Sequence, residues 1–208
     1  IQNVTVTVAD GRFWYSLGNG LGNGLDNNWY LDGNNASVVS SDGNKTTVQM
    51  GSGYRGDLWL ARSGKGKIVN VTPADYRYFA IKVGFKSQLV PGKNKPNGCI
   101  KLEIFDDGIK KIGPEYFGTG GDANNRYEIL GASEISTTEP NVLYYDLQSK
   151  YKTVTPTDWN QVFDLVQCKF VIADFPETAQ TYDLYWIRSF KSIEELQAFV
   201  DSENNTNE

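Results

Sequence analysis

An all-β fold is predicted for this chain, a two-sheet jelly-roll sandwich with one short C-terminal helix, and three observations carry that prediction. Short apolar or alternating runs recur along the chain, each bounded by clusters of Gly, Asn, Asp, Ser or Pro. Glycine is abundant, with 21 residues in a chain of 208, and aromatics make up 13% of it, with 12 Tyr, 10 Phe and 5 Trp; sheets joined by tight turns have this composition. Only the last segment carries both a helix-start signal and a helical apolar stripe. The chain is long enough to bury a core as one domain. No internal repeat or dividing linker interrupts it, so a single domain is expected over residues 1–200, followed by a polar, frayed tail over 201–208.

In chain order, Val4, Val6 and Val8 alternate with Thr5 and Thr7, a half-buried first strand. Asp10-Gly11 ends it. In the next stretch Gly18, Gly20, Gly22 and Gly24 recur every second residue around Asn19 and Asn23, which is poor for helix and strand alike and predicts a long surface loop. Strands are expected over 36–39, 46–50, 57–61 and 67–71. They are separated by Asp42-Gly43-Asn44, Gly51-Ser52-Gly53 and Ser63-Gly64-Lys65-Gly66, which are turns by composition. Stronger strands follow at Tyr78–Phe85 and Ile100–Phe105. The segment from Lys110 to Asn125 reads as a loop with Tyr116 and Phe117 inside it. Val142–Leu147 and Val166–Ala173 are further strands, and one turn of helix is expected to open at Thr157 or Asp158 between them.

The last apolar run, Thr181 to Phe190 (TYDLYWIRSF), has no Gly or Pro and the composition of a strand in the middle of a sheet. Strict alternation puts Tyr182, Leu184, Trp186, Arg188 and Phe190 on one face, with Asp183, Tyr185, Ile187 and Ser189 on the other. Ser192 followed by Glu195 is a capping box, the hydroxyl serving the N3 amide and the carboxylate the cap amide. Ile193, Leu196, Phe199 and Val200 then form the apolar stripe of a short helix.

Several chemistries are excluded or disfavoured. The chain has no His, which removes Ser-His-Asp and Cys-His nucleophilic sites and the commonest zinc ligand. A net charge of −5 with scattered Lys and Arg argues against nucleic acid, whose binding rests on a basic face. No apolar run is long enough for a transmembrane helix. Because the chain opens on Ile1 rather than Met, a mature fragment or an excised domain is expected. Cys99 and Cys168 lie in strand-like contexts and read as two buried free thiols, with a disulfide as the alternative.

Three segments together, Arg77–Val83 (RYFAIKV), Leu143–Leu147 (LYYDL) and Asp183–Leu196 (DLYWIRSFKSIEEL), resemble a jelly-roll domain family of unknown function. That family is found in cell-surface lipoproteins of gut bacteria, beside polysaccharide-utilisation systems. The plan is also similar to carbohydrate-binding modules. The resemblance implies an extracytoplasmic domain at the bacterial cell surface, joined to other domains of a larger lipoprotein, with a glycan as partner. It also implies a structural Ca²⁺, for which Asp122-Ala123-Asn124 is one place to look. The shared motifs are core-strand patterns, so no ligand residue is carried over from the family.

The candidate site comes from the residues themselves. Sugar recognition needs flat apolar rings to stack on pyranose CH groups, with amide, carboxylate or guanidinium groups for the hydroxyls. Asn27, Asn28, Trp29 and Tyr30 supply both kinds, with a strand start capping the core as the bland alternative. Arg55, Asp57 and Trp59 form a second group: if the Leu58 face of that strand is core, Trp59 points outward. The bland alternative is a Trp packed under a neighbouring loop. Trp14, inside Phe13-Trp14-Tyr15, is assigned to the core with ligand contact as the alternative, and Trp186 is assigned to the core. For catalysis only a carboxylate pair is available. Nothing in the spacing of Glu103, Asp106, Asp107, Glu115 and Glu128 makes two converge, so no catalytic residue is assigned and no cofactor is expected, with a structural Ca²⁺ as the alternative. The expected function is non-catalytic glycan binding. The alternatives are a structural or protein-interaction domain, and a carboxylate-based glycoside hydrolase or lyase.

Overall fold

The computed structural model describes residues 11–12, 14–21, 29–31, 36–50, 56–62, 65–66, 69–71, 75–86, 99–105, 117–118, 127–146, 163–165, 167–173 and 180–205. The expected strand at Val4–Val8 and the helical turn at Thr157 or Asp158 lie outside them. In chain order the elements are β1 (Trp14–Ser16), β2 (Tyr30–Leu31), β3 (Ala36–Ser41), β4 (Thr46–Met50), β5 (Gly56–Arg62), β6 (Lys65–Gly66), β7 (Val69–Val71) and β8 (Tyr78–Phe85). They continue with β9 (Cys99–Phe105), β10 (Phe117–Gly118), β11 (Glu128–Ile129), β12 (Asn141–Asp146), β13 (Phe163–Leu165), β14 (Gln167–Ala173), β15 (Gln180–Phe190) and α1 (Ile193–Asn205).

The described chain is thus mostly β-sheet with one C-terminal helix. One sheet has seven strands in the order β11-β12-β8-β15-β4-β3, with β1 also paired to β15; a second has six, in the order β10-β9-β14-β5-β2, with β6 on β5; β13 and β7 form a separate pair. All the ladders are antiparallel. Phe117 pairs with Leu102, so the expected 110–125 loop contains a short strand. Cys99 lies opposite Ala173, whereas Cys168 lies opposite Ile104. Their strands are neighbours, but the two residues sit about 16 Å apart along the ladder. That is too far for a disulfide.

β15 joins the parts of the larger sheet. One edge pairs with β8 along residues 182–190. The other edge is shared: β4 takes residues 180–184 and β1 takes residues 186–188. The change of partner coincides with a register shift on the β8 side between Leu184 and Trp186. Tyr185 is the extra residue there, and its carbonyl accepts the Leu17 amide at 2.8 Å. A bulge of this kind breaks the two-residue period. Tyr182, Leu184 and Ile187 therefore pack in the main core with Phe79, Ile81, Val83, Phe85 and Leu58, while Trp186 and Phe190 pack under the helix with Ala80, Val142 and Leu196. This corrects the strict alternation expected from sequence, which put all the even positions on one face.

The helix begins as its signals require, with one difference. Glu195 N donates to Ser192 Oγ at 3.1 Å, but the Glu195 carboxylate accepts from Lys191 N at 2.6 Å rather than from the cap amide. Glu194 at the second helical position has its carboxyl held below the ordinary value by its own backbone amide and by the Ser192 hydroxyl. The helix also runs through Asn205, past the expected end of the domain at residue 200. Glu203 accounts for this: it accepts from Lys82 Nζ at 3.1 Å and from Trp186 Nε1 at 3.2 Å, tying the last turn to the sheet.

The start of the glycine-rich stretch is packed. Leu17 and Gly18 are buried, and Gly43 N donates to Gly18 O at 3.0 Å. The Thr46 hydroxyl donates to Leu17 O and accepts from Gly20 N at 3.1 Å. A Cβ on Gly18 would lie 2.1 Å from Gly43 O, a clash with backbone that no rotamer relieves. Gly18→Ala should therefore destabilise the domain by about 1–3 kcal/mol or more, measured by urea unfolding. An unchanged midpoint would show that the Gly18–Gly43 contact is not tight in solution.

Candidate functional site

Of the seven sequence-predicted site residues, three have described side chains. Trp29 is 0% exposed in the main core, edge-on to Tyr15 at 6.3 Å. Trp59 is 5% exposed, and Leu58 beside it is buried as well, so both faces of β5 are covered there. The inference that a core Leu58 turns Trp59 outward does not hold. Tyr30 is half-buried and pairs with Trp59 across the β2–β5 ladder, so the structure does bring these two predicted residues together. In this arrangement neither indole offers a free ring face. Asp57 is placed in β5 opposite Val171, its side chain outside the description. Asn27, Asn28 and Arg55 lie outside the described residues, as do Asp106, Asp107 and Glu115 and the Ca²⁺ candidate at Asp122–Asn124. Among the described residues no group of three or more His, Cys, Asp or Glu is placed to hold a metal.

The exposed indole is Trp14, which the sequence assigned to the core. It is 42% exposed, and it is the only exposed aromatic among the described side chains. Its position follows from the bulge. β1 pairs with the second half of β15, setting Trp14 beside Arg188 and Ser16 beside Trp186 on the helix face of the sheet. The ring packs edge-on to Phe190 at 5.5 Å and to Phe199 of the helix at 5.1 Å. The Arg12 guanidinium lies 4.0 Å and that of Arg188 4.5 Å from its ring centre. Arg12 also reaches the Glu195 carboxylate at 3.9 Å. Arg188 donates to Ser16 Oγ at 3.3 Å and lies 4.0 Å from Glu203. Burial, with nearby Arg12, lowers the Arg188 pKa against the opposing pull of Glu203. Stacking of guanidinium on indole is worth about 0.5–1 kcal/mol at exposed sites. The patch thus combines an apolar ring edge, two guanidinium groups and a hydroxyl within one sheet row and its neighbour. A sequence signal for it exists in hindsight: Trp14 and Tyr15 are adjacent strand residues, so one of the two must face away from the core.

Another charged cluster on this sheet is built around Asp183. Its Oδ2 accepts from Lys45 Nζ and Lys86 Nζ, each at 2.8 Å, and its Oδ1 from Thr47 Oγ1 at 2.7 Å. Burial alone would raise this carboxyl, but the hydrogen bonds from Lys45, Lys86 and Thr47 outweigh it and hold the pKa at about 2. The Lys45 ammonium is stabilised in turn, its pKa raised chiefly by the same hydrogen bond. Asp42 is likewise held low, by the Lys45 and Asn44 amides in the β3–β4 turn. A general acid needs a raised pKa, so these carboxylates suit structural pairing and not proton donation. Since the folded pKa of Asp183 lies below the unfolded one, its contribution is present above about pH 4 and is lost as pH falls towards 2. Asp183→Asn should cost on the order of 2 kcal/mol at neutral pH and flatten the loss of stability between pH 4 and 2. Equal pH slopes for the two proteins would contradict that role.

Among the described residues no helix is long and apolar enough to cross a membrane. Compared with known proteins, the chain matches no curated protein and no solved structure significantly. It does match one family model, described as Domain of unknown function (DUF4979), over residues 20–196. That span includes β15, its bulge and the first turn of the helix, and the chain belongs to the DUF4979 family.

Proposed function

We propose that this is a non-catalytic glycan-binding domain of an extracytoplasmic bacterial surface lipoprotein. On this reading its two larger sheets form a jelly roll like those of carbohydrate-binding modules, and the exposed ring edge of Trp14 supplies the apolar sugar contact first assigned to Trp29, Tyr30 and Trp59. The observation that carries the proposal is the composition of the exposed patch. A single half-exposed indole stands beside Arg12, Ser16 and Arg188, the pairing of ring and hydrogen-bonding groups that a pyranose requires. A shallow site of this size is weak alone and gains from linkage to other domains of the same lipoprotein. A structural Ca²⁺ belongs to this reading as a further expectation at Asp122–Asn124. The second reading, a protein-interaction domain, is favoured by a different feature, the outer edge of β3, which has no partner strand among the described residues.

The test is binding to a panel of neutral and acidic polysaccharides by affinity electrophoresis and calorimetry, with thermal melts as the fold control. Trp14→Ala should leave the melt within a few degrees of the parent and weaken binding at least tenfold, about 1.4 kcal/mol. Arg12→Ala should weaken it less. If the parent retains no member of the panel, or if Trp14→Ala binds as the parent does, the proposal is wrong.

A further inference from the structure

Among the described residues no strand pairs with the outer edge of β3, the end of the seven-stranded sheet, and this edge is unlike the one opposite. β11 closes the far side with two residues, one of them the exposed Glu128, and short charged edges resist pairing with other chains. β3 is six residues long, Ala-Ser-Val-Val-Ser-Ser, with no charge and no Pro. Apart from its ladder with β4, no backbone hydrogen bond to β3 is present among the described residues. Among the described residues its outer edge therefore has no partner strand.

The side chains on this edge look like an unfinished core row. Phe85 lies opposite Tyr182, Tyr182 opposite Val48 and Val48 opposite Val38. The first three are buried in the main core, but Val38 at the end of the row is 46% exposed. The register shift in the β3–β4 ladder falls between Val38 and Ser40, making Val39 the extra residue, and Val39 is 56% exposed. A bulge is one of the devices that protect an edge. Here it adds a second exposed valine where such edges ordinarily carry a lysine.

We propose that β3 pairs antiparallel with β3 of a second copy of this chain, about a two-fold axis between Val38 and Val39. The sequence is self-complementary under that axis. Val38 meets Val39 and Ser37 meets Ser40, apolar facing apolar and hydroxyl facing hydroxyl at the centre, while the outer pair sets the small Ala36 against the small Ser41, and no like charges oppose each other. A chain of net charge −5 repels its own copies in general, and this neutral strand is where two copies can approach. Pairing extends the row Phe85–Tyr182–Val48–Val38 across the axis and makes one continuous sheet from two. A foreign strand of another sequence would satisfy the backbone equally well but would lack the matched valine and serine pairs.

Sedimentation equilibrium over a micromolar to millimolar range tests this, with thermal melts confirming that each variant folds. The parent should rise from the 23.2 kDa of one chain towards roughly double with concentration, as pairing of the two edges requires. Val38→Lys and Val39→Glu should each, alone, move the midpoint up at least tenfold. An equimolar mixture of the two should recover most of the parent's association, because the opposite charges then face each other across the axis. A parent that stays monomeric throughout, or single variants that associate like the parent, would overturn the proposal. So would a mixture no better than either variant alone.

Discussion

The register shift at Tyr185 determines how both faces of the long C-terminal strand are used. Without it, β15 would turn Tyr182, Leu184, Trp186 and Phe190 to one side, and that side could not pack both the core and the helix. With it, Leu184 and Ile187 remain in the main core while Trp186, Arg188 and Phe190 face α1. The extra peptide unit is not wasted, because its carbonyl accepts the Leu17 amide and fixes where β1 ends and β4 takes over along the same edge. Loss of that bond would leave a polar group exposed in a largely buried seam, at a cost of about 1–3 kcal/mol.

The exposed patch is a consequence of this arrangement. β1 can pair only where β4 has stopped, and so Trp14 arrives beside Arg188 at the border of the helix. Phe199 covers one edge of its ring and the guanidinium groups of Arg12 and Arg188 lie over it. The helix contributes at both ends. Glu195 reaches Arg12 near its start, and Glu203 holds Lys82, Trp186 and Arg188 near its finish. Any ligand or partner at Trp14 therefore meets a surface whose side chains are braced by the last two elements of the chain.

Much of the fold was legible in the sequence. The runs at Thr46–Met50 and Tyr78–Phe85 are strands with the predicted ends, and the final strand and its helix are where composition and capping put them. Those segments carry their signal locally, in alternation, turn residues and a cap. The two- and three-residue strands at β1, β6, β10, β11 and β13 were not legible, because so short a segment is a strand only by virtue of its partner; β2 was legible only as the alternative reading of Trp29 and Tyr30, a strand start capping the core. The exposure of Trp29 and Trp59 was misread for a related reason. Trp29 and Trp59 flank or follow turn-like sequence that suits an exposed loop, yet both are buried, while Trp14 sits in an apolar triplet that suits a core. Periodicity separates the two faces of a strand but does not say which face is covered. At Tyr185 even the periodicity fails, since one inserted residue exchanges the faces.

The organising role of β15 is tested most directly by native-state hydrogen exchange. Amides paired between β15 and β8 should be the last to exchange, at the rate of global unfolding, with β3 and β11 exchanging much earlier. Slowest exchange in the β9–β14 ladder instead, with β15 opening in a separate and less stable step, would contradict the account and place the stabilising centre in the six-stranded sheet.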